Sequence, residues 1–240
     1  MSFHRASAKD FQKIPGSPVA YWASEAMRRA FIDLPPLSAT NMPRQGLTTT
    51  DNNRFIRFWQ EVSQKRIGYN YINKLDAKES GLTWFPLDKG GCSRKWYGNN
   101  DNIVNYEDDG QTLKEVVKDK YKDKSYAQGF SKERWDQLIE VWVMKNQHSY
   151  FKPGATWGKI SSGLFSCRAT NSGFIFSDAG SKIPVDNYDE AKLYSLFLNS
   201  KVCVNLLKIL SPTLNFEQGN IAKLPYSHIV DKESALNLDS

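Results

Sequence analysis

The sequence predicts a mixed α/β fold of the α+β kind, with short strands, a β-hairpin and flanking helices. Three observations carry this. Apolar residues recur at helical spacing in residues 17–31, 111–121, from 131 onward, and 189–210. Short β-branched and aromatic runs, separated by Gly, Ser or Asn, stand between them as strand signals. The resulting order is helix, strands, helices, short strands, helices, which is not the strict alternation of βαβ repeats. At 240 residues, with 40% hydrophobic and 24% charged residues, the chain can bury a sizeable core as one large domain or two small ones. Disorder is not indicated.

In chain order, Ser17-Pro18 reads as a helix N-cap with Pro at the first helical position, and the helix runs to about Phe31. Pro35-Pro36 ends it and begins a linker to about Arg44. The next stretch, RQGLTTTDNNRFIR at 44–57, is the most informative of the chain. It sets three threonines, an aspartate, two asparagines and three arginines around one glycine, with little apolar mass before Phe55. Such short polar side chains can read base edges, Asn matching adenine and Arg matching guanine. The same residues also read as a loop ending in a helix N-cap at Asp51. Residues 54–64 place Phe55, Phe58 or Trp59, and Val62 at helical spacing, with an edge strand as the competing assignment.

A second polar segment, WFPLDKGGCSRKWYGNNDNIVN at 84–105, joins Lys89-Gly90-Gly91 to Arg94-Lys95, Trp96-Tyr97 and Asn99-Asn100. Basic residues interleaved with aromatics suit a polyanion whose bases offer flat faces, and glycines allow close approach to a phosphate. It reads equally as a hairpin, with strands at 84–87 and 95–98 and an Asn-rich turn leading into 103–106. Glu107-Asp108-Asp109-Gly110 is a turn before a helix at 111–121 that turns Leu113, Val116, Val117 and Tyr121 inward. Ser131 caps a further helix with Trp135, Leu138, Ile139 and Trp142 on its apolar face. TWGKI, LFSCR, GFIFS and SKIPV then form a meander of short strands, followed by apolar helices at 189–210 broken near Asn199-Ser200. Trp157, Ser161, Ser162 and Arg168 make a third candidate surface, although Trp157 also reads as core.

The net charge is +6, and its distribution says more than its sum: residues 41–100 hold ten Lys/Arg against five Asp/Glu. A clustered surplus is what phosphate contact needs. Cys92, Cys167 and Cys203 are far apart and in no C-x-x-C pairing, which argues against a disulfide framework or zinc and for a reducing, cytoplasmic setting. His4, His148 and His228 have no metal-ligand spacing. No metal, signal peptide or membrane span is expected. No E-x-K of a carboxylate–lysine nuclease and no G-x-S-x-G occurs.

Four blocks resemble one family in the family's own order: FQKIPGSPVAYWAS at 11–24, RQGLTTTDNNRFIRFWQEV, KGGCSRKWYGNNDNIVNYEDDG, and FLNSKVCVNLLKILSPTLNFEQGNIAKLPY at 197–226. They are similar to the region downstream of the catalytic domain in large adenine-specific DNA methyltransferases. The likeness is strongest to the BREX phage-resistance (PglX-like) group, which is related to single-chain type II restriction–modification enzymes. The last block also resembles the end of a target-recognition half in type I specificity subunits. The resemblance implies a target-recognition-type domain at 41–226, a helical lead-in at 1–40 from a catalytic domain, and a tail at 227–240. The family's S-adenosylmethionine loop and Asn-Pro-Pro-Tyr motif do not occur here: the sole Pro-Pro, Pro35-Pro36, follows Leu34. No cofactor is therefore expected on this chain, and methyl transfer to a flipped base needs a pocket it does not encode.

The implied partner is double-stranded DNA. The implied contacts are Arg44, Thr48, Thr49, Thr50, Asn52, Asn53, Arg54, Arg57, Lys89, Arg94, Lys95, Trp96, Tyr97, Asn99, Asn100, Ser161 and Arg168. A different reading makes the chain an interaction module that docks on a methyltransferase catalytic domain or other defence proteins. Leu193, Leu196, Phe197, Val202, Leu206 and Leu207 would then supply the contact.

Overall fold

The computed structural model describes residues 7–127, 129–160, 165–213 and 215–227. In chain order its elements are α1 (Ala8–Phe11), α2 (Glu25–Asp33), α3 (Asn52–Phe55), β1 (Ile56–Phe58), α4 (Lys74–Glu79), β2 (Trp84–Asp88) and β3 (Asn102–Asn105). There follow α5 (Glu107–Ala127), α6 (Lys132–Val143), β4 (Gly154–Gly158), β5 (Cys167–Thr170), β6 (Ile175–Phe176), β7 (Gly180–Pro184), α7 (Tyr188–Asn199), α8 (Lys201–Leu210) and α9 (Gln218–Ala222). This is the mixed α/β architecture expected from the pattern.

Two small sheets organise it, with strand orders β1-β3-β2-β6 and β5-β4-β7. The first buries Phe55, Phe85, Leu87, Val104 and Phe176 against Leu113 and Val117 of α5 and Ile139 and Val143 of α6. The second packs Ala155, Trp157, Cys167 and Ile183 against Ala191, Tyr194 and Leu198 of α7 and Cys203, Leu206 and Leu207 of α8. Leu37 belongs to this second core, and its N–H donates to Leu224 O at 2.7 Å, so the lead-in lies beside the last helix.

Several local expectations hold. Asp51 caps α3, accepting from the Arg54 N–H at 3.1 Å. Ser131 caps α6 through the Arg134 N–H, and Ser200 separates α7 from α8 by capping the latter through the Cys203 N–H. Asp108, Asp109 and Gly110 have left-handed backbone, so the expected turn occupies the start of α5 and its right-handed helix runs on from beyond Gly110.

Others are revised. The first long helix begins at Glu25, capped by Ser24, whereas Ser17 stands at φ +50. Ala20 and Ala23 are held in tight turns against Ile209, so packing, rather than the Pro18 signal, decides where the helix starts. At 54–64 neither assignment holds throughout: Arg54 and Phe55 close α3, Ile56–Phe58 form β1, paired antiparallel with β3 at the sheet edge, and a 3-10 turn follows at Trp59–Glu61. The hairpin exists but closes later, with Phe85 opposite Val104 and Pro86 opposite Ile103, so residues 89–101 form one long loop and 95–98 is no strand. The four short strands are not a single meander. β6 leaves to pair parallel with β2, and β4 stands between β5 and β7.

The glycine of RQG has a structural explanation. A Cβ on Gly46 would stand 1.8 Å from Phe176 O, so only glycine lets this strip lie against β6. Around it, Arg44 bridges Lys182 and Leu47 bridges Ser177, which laces the strip to both sheets. Among the described residues, no single helix is long and apolar enough to cross a membrane; α7 and α8, apolar as a pair, meet at 68°.

Candidate nucleic-acid interface

The first polar segment meets Lys89, at the root of the second, although some forty residues separate them in the chain, while residues 94–100 do not line the same cleft. Thr48, Thr49, Thr50 and Asn52 line one side of a cleft of about 320 Å³, while Lys89 and Ser177, Asp178 and Ala179 line the other. Backbone bonds fix the walls: Leu47 N–H to Phe176 O at 2.8 Å, Asp178 N–H to Leu47 O at 3.0 Å, and Thr48 N–H to Val143 O at 2.9 Å. Lys120 Nζ holds Thr50 O at 3.1 Å. Thr49 donates its hydroxyl to Asn52 Oδ1. Three polar atoms of lining residues, Thr48 Oγ1, Thr50 Oγ1 and Asp178 Oδ1, are buried with no hydrogen-bond partner among the described residues. A native structure rarely leaves such groups unpaired without a reason.

Lys89 is brought to this cleft by its neighbours. Gly90, at φ +90, would place a Cβ 2.7 Å from Ala179 O, so its conformational freedom serves close packing on the protein's own backbone. Asp88, at the root of the loop, accepts from Lys182 Nζ at 3.1 Å and from Thr170 Oγ1 at 3.2 Å.

Beyond the root, the 89–101 loop is exposed yet anchored. Trp96 N–H donates to Cys167 O and accepts the Ala169 N–H on its own carbonyl, adding one residue to the edge of β5. Asn99 Nδ2 closes the loop on Cys92 O at 2.8 Å. Trp96 and Asn99 hold left-handed backbone, at φ +73 and +60, a conformation that costs a non-glycine residue on the order of 1–3 kcal/mol. The outcome is that Arg94, Lys95, Trp96 and Tyr97 all face solvent. Tyr97 and Asn100 fall in a second cleft, with Trp59 and Tyr69. Tyr97 and Trp96 also face Tyr188 and Lys192 across a third.

The arginines differ in their freedom. Arg54 is exposed and lies over the Phe55 ring at 5.4 Å. Arg57 bonds the Asn53 and Ile56 carbonyls, and Arg44 reaches Asn146 Oδ1 at 3.4 Å. Arg54, Arg57, Lys89, Arg94 and Lys95 have no acidic group within 4.0 Å among the described residues. Part of the charge surplus read in the sequence is spent elsewhere, because Lys74 pairs with Asp109 at 2.8 Å and Lys78 with Asp108 at 3.0 Å.

Of the third candidate surface, Trp157 and Arg168 are buried and not at the surface. Arg168 is 2% exposed: Cys167 and Ala169 face the second core, and strand alternation turns Arg168 to the opposite face of the sheet, which it shares with its cross-strand neighbour Thr156 and with the buried Lys182. Its Nε has no partner among the described residues. Trp157 is wholly buried and donates to Phe216 O at 2.9 Å. Ser161 and Ser162, like His4 and His228, lie outside the described residues. The apolar contacts of the docking reading are mostly used internally: Leu206 and Leu207 are core, Leu193, Leu196 and Phe197 are half-buried, and Val202 alone of the six is well exposed.

Asp178 was not legible as a site residue, because nothing local in GFIFSDAGS marks it; the pairing of β6 with β2 and the bridge from Leu47 to Ser177 bring it to the cleft.

No family model matches the chain. It is 36% identical over 227 residues to the adenine-specific methyltransferase BrxX of Escherichia coli O9:H4 (strain HS), covering 93% of this chain and 16% of that protein. It is 32% identical over 227 residues to the adenine-specific methyltransferase PglX of Lacticaseibacillus casei (strain Zhang), covering 92% of this chain and 17% of that protein. The chain thus spans about one-sixth of the length of these relatives. Among solved structures, the type IIL restriction–modification enzyme MmeI in complex with DNA matches at a TM-score of 0.41 and 13% identity, over 80% of this chain and 24% of that one.

Proposed function

Because the chain belongs, as a segment, to the BrxX/PglX adenine-specific methyltransferases, we propose that it is the part of such an enzyme that recognises duplex DNA. The observation that carries this is the cleft where Thr48, Thr49, Thr50 and Asn52 meet Lys89 and Asp178, with three buried polar atoms of its lining residues left without partners among the described residues. Hydroxyls, a carboxamide and a carboxylate suit the mixed donors and acceptors of base edges, a carboxylate accepting from the cytosine amine. Arg54, Arg57, Arg94 and Lys95, which carry no acidic partner among the described residues, serve the phosphates, which position the protein without specifying sequence. On this reading, methyl transfer from S-adenosylmethionine, and with it phage defence, belongs to the five-sixths of the family's length outside this chain.

The test is a titration of labelled duplex with the purified chain across a salt series. Contact with about five phosphates gives a slope of log affinity against log salt of about −4 to −5. Absence of binding at low salt, or a flat response, overturns the proposal.

A docking role is favoured by a separate observation. The lead-in exposes Val19, Tyr21, Trp22, Ile32 and Leu34, between 39% and 69%. A methyltransferase catalytic part is the partner that the relatives' length supplies, and capture of that part by the chain without DNA tests it.

A further inference from the structure

Thr50, in the wall of the cleft it shares with Lys89, holds left-handed backbone at φ +56. A branched Cβ makes this conformation a true outlier, because the side chain crowds its own backbone. Strain of this kind persists only where the surroundings over-determine it. On either side of Thr50 the strip is fixed by bonds close at hand. Thr48 N–H donates to Val143 O at 2.9 Å, and Asp51 caps α3 through the Arg54 N–H. Thr50 itself is held from outside the strip: Lys120, seventy residues away on α5, donates from Nζ to Thr50 O at 3.1 Å.

Lys120 is suited to that task. Leu113 and Val117 fasten α5 to the first core. The Lys120 ammonium lies 5.8 Å from the Tyr121 ring centroid, a face that attracts a cation. No acidic group stands within 4.0 Å of it among the described residues, and its bond to the carbonyl is charge-assisted.

We propose that Lys120 is a positioning residue for base reading. It holds Thr50 in the left-handed turn and so presets the wall from Thr48 to Asn52 before DNA arrives. Thr49, beside Thr50, donates its hydroxyl to Asn52 Oδ1, so the same turn orients the carboxamide. A site arranged before binding gives up less freedom when it is occupied. Lys120 thus acts on sequence preference through Thr50, with its own charge engaged by the protein and not by a phosphate.

The inference rests on the duplex-reading proposal and deepens it, and the experiment separates the two. A duplex enriched from a random pool by the wild-type chain is compared with a scrambled duplex. Lys120→Met is expected to cut the preference between them by about tenfold, through weaker binding of the enriched duplex, with the salt slope unchanged. Lys120→Arg, whose guanidinium can donate to the same carbonyl, is expected to keep the preference. Glycine adopts positive φ without steric cost, so in a Thr50→Gly background the Lys120→Met loss is expected to shrink to about twofold. In the DNA-free chain, amide exchange at Thr48 and Arg54 is expected to rise several-fold in Lys120→Met, while the melting temperature stays unchanged.

Equal losses on both duplexes, with a slope lower by about one, make Lys120 a phosphate contact and overturn the inference. So does an undiminished preference in Lys120→Met, or an equally large loss in the Thr50→Gly background. Unchanged amide exchange at Thr48 and Arg54 overturns this inference alone, without recourse to DNA. Failure of the wild-type chain to enrich any sequence overturns the duplex-reading proposal and this inference with it.

Discussion

Lys182 Nζ lies 3.1 Å from Asp88 Oδ2, and neither side chain is more than 1% exposed. This pair joins β7 of one sheet to the end of β2 in the other, at the point where the loop bearing Lys89, Arg94 and Tyr97 departs. Burial pushes the Lys182 ammonium below its ordinary range, against the pull of the Asp88 carboxylate that favours its charge. A buried pair of this kind does little for net stability compared with an apolar replacement, but breaking it leaves one charge uncompensated.

Lys182→Met alone is therefore expected to cost about 3–5 kcal/mol. The double variant Asp88→Asn with Lys182→Met is expected to recover more than half of that loss, since no buried charge remains. Urea denaturation of wild type, both single variants and the double closes the cycle; a double variant as unstable as the sum of the singles refutes the pairing.

Gly46→Ala places a methyl group against Phe176 O, where the strip that carries Thr48–Thr50 leans on β6. Overpacking of this kind costs about 1–3 kcal/mol. The expected outcome is a lower melting temperature together with weakened duplex binding, because the same strip forms one wall of the cleft. A variant as stable as wild type would place the strip elsewhere.

Within the polar segment, capping and recognition come apart by measurement. Asp51→Ala removes the acceptor for the Arg54 N–H and is expected to cost about 1 kcal/mol of stability without altering the salt slope of DNA binding. Arg94→Ala with Lys95→Ala is expected to leave stability unchanged and to reduce that slope by about two, for cognate and random duplex alike. Asn52→Ala is expected to cost about 1–3 kcal/mol of discrimination between sequences. Equal losses on cognate and random DNA for the Asn52 variant would remove it from base reading.

Stability is expected to fall on the alkaline side. Burial pushes the Cys167 thiol up from 9.0 to about 12 and the Tyr226 hydroxyl up from 10.0 to about 12, and it raises the Cys203 thiol as well. These groups stay protonated in the native state at pH values where the unfolded chain has already ionised. The unfolded state then binds fewer protons, and stability declines as pH rises from about 9 to 12. Cys167 alone accounts for about 2–3 kcal/mol by pH 11. Denaturant midpoints measured from pH 8 to 11 check this, and a flat profile would mean that the thiols are solvated.

The caps and turns at Asp51, Ser131 and Asp108–Gly110 were readable because each depends on residues three or four apart, and so were the break at Asn199-Ser200 and the succession of helices and short strands. The clustering of polar and basic residues in two segments was readable for the same reason. What the sequence could not disclose were relations across long separations. The edge strand at Ile56–Phe58 exists because β3 is there to pair with it, and the transfer of β6 to the first sheet is a parallel pairing between strands almost ninety residues apart. Arg168 sits in a polar-looking run and yet is buried, because alternation along β5 turns it to the sheet face that holds the buried Thr156 and Lys182. Asp178 enters the cleft through β6 rather than through any motif. The sequence by itself determined the local geometry and the kinds of side chain available for contact; tertiary packing decided which of them reach solvent and which meet, since burial depends on what covers a residue and not on the residues beside it.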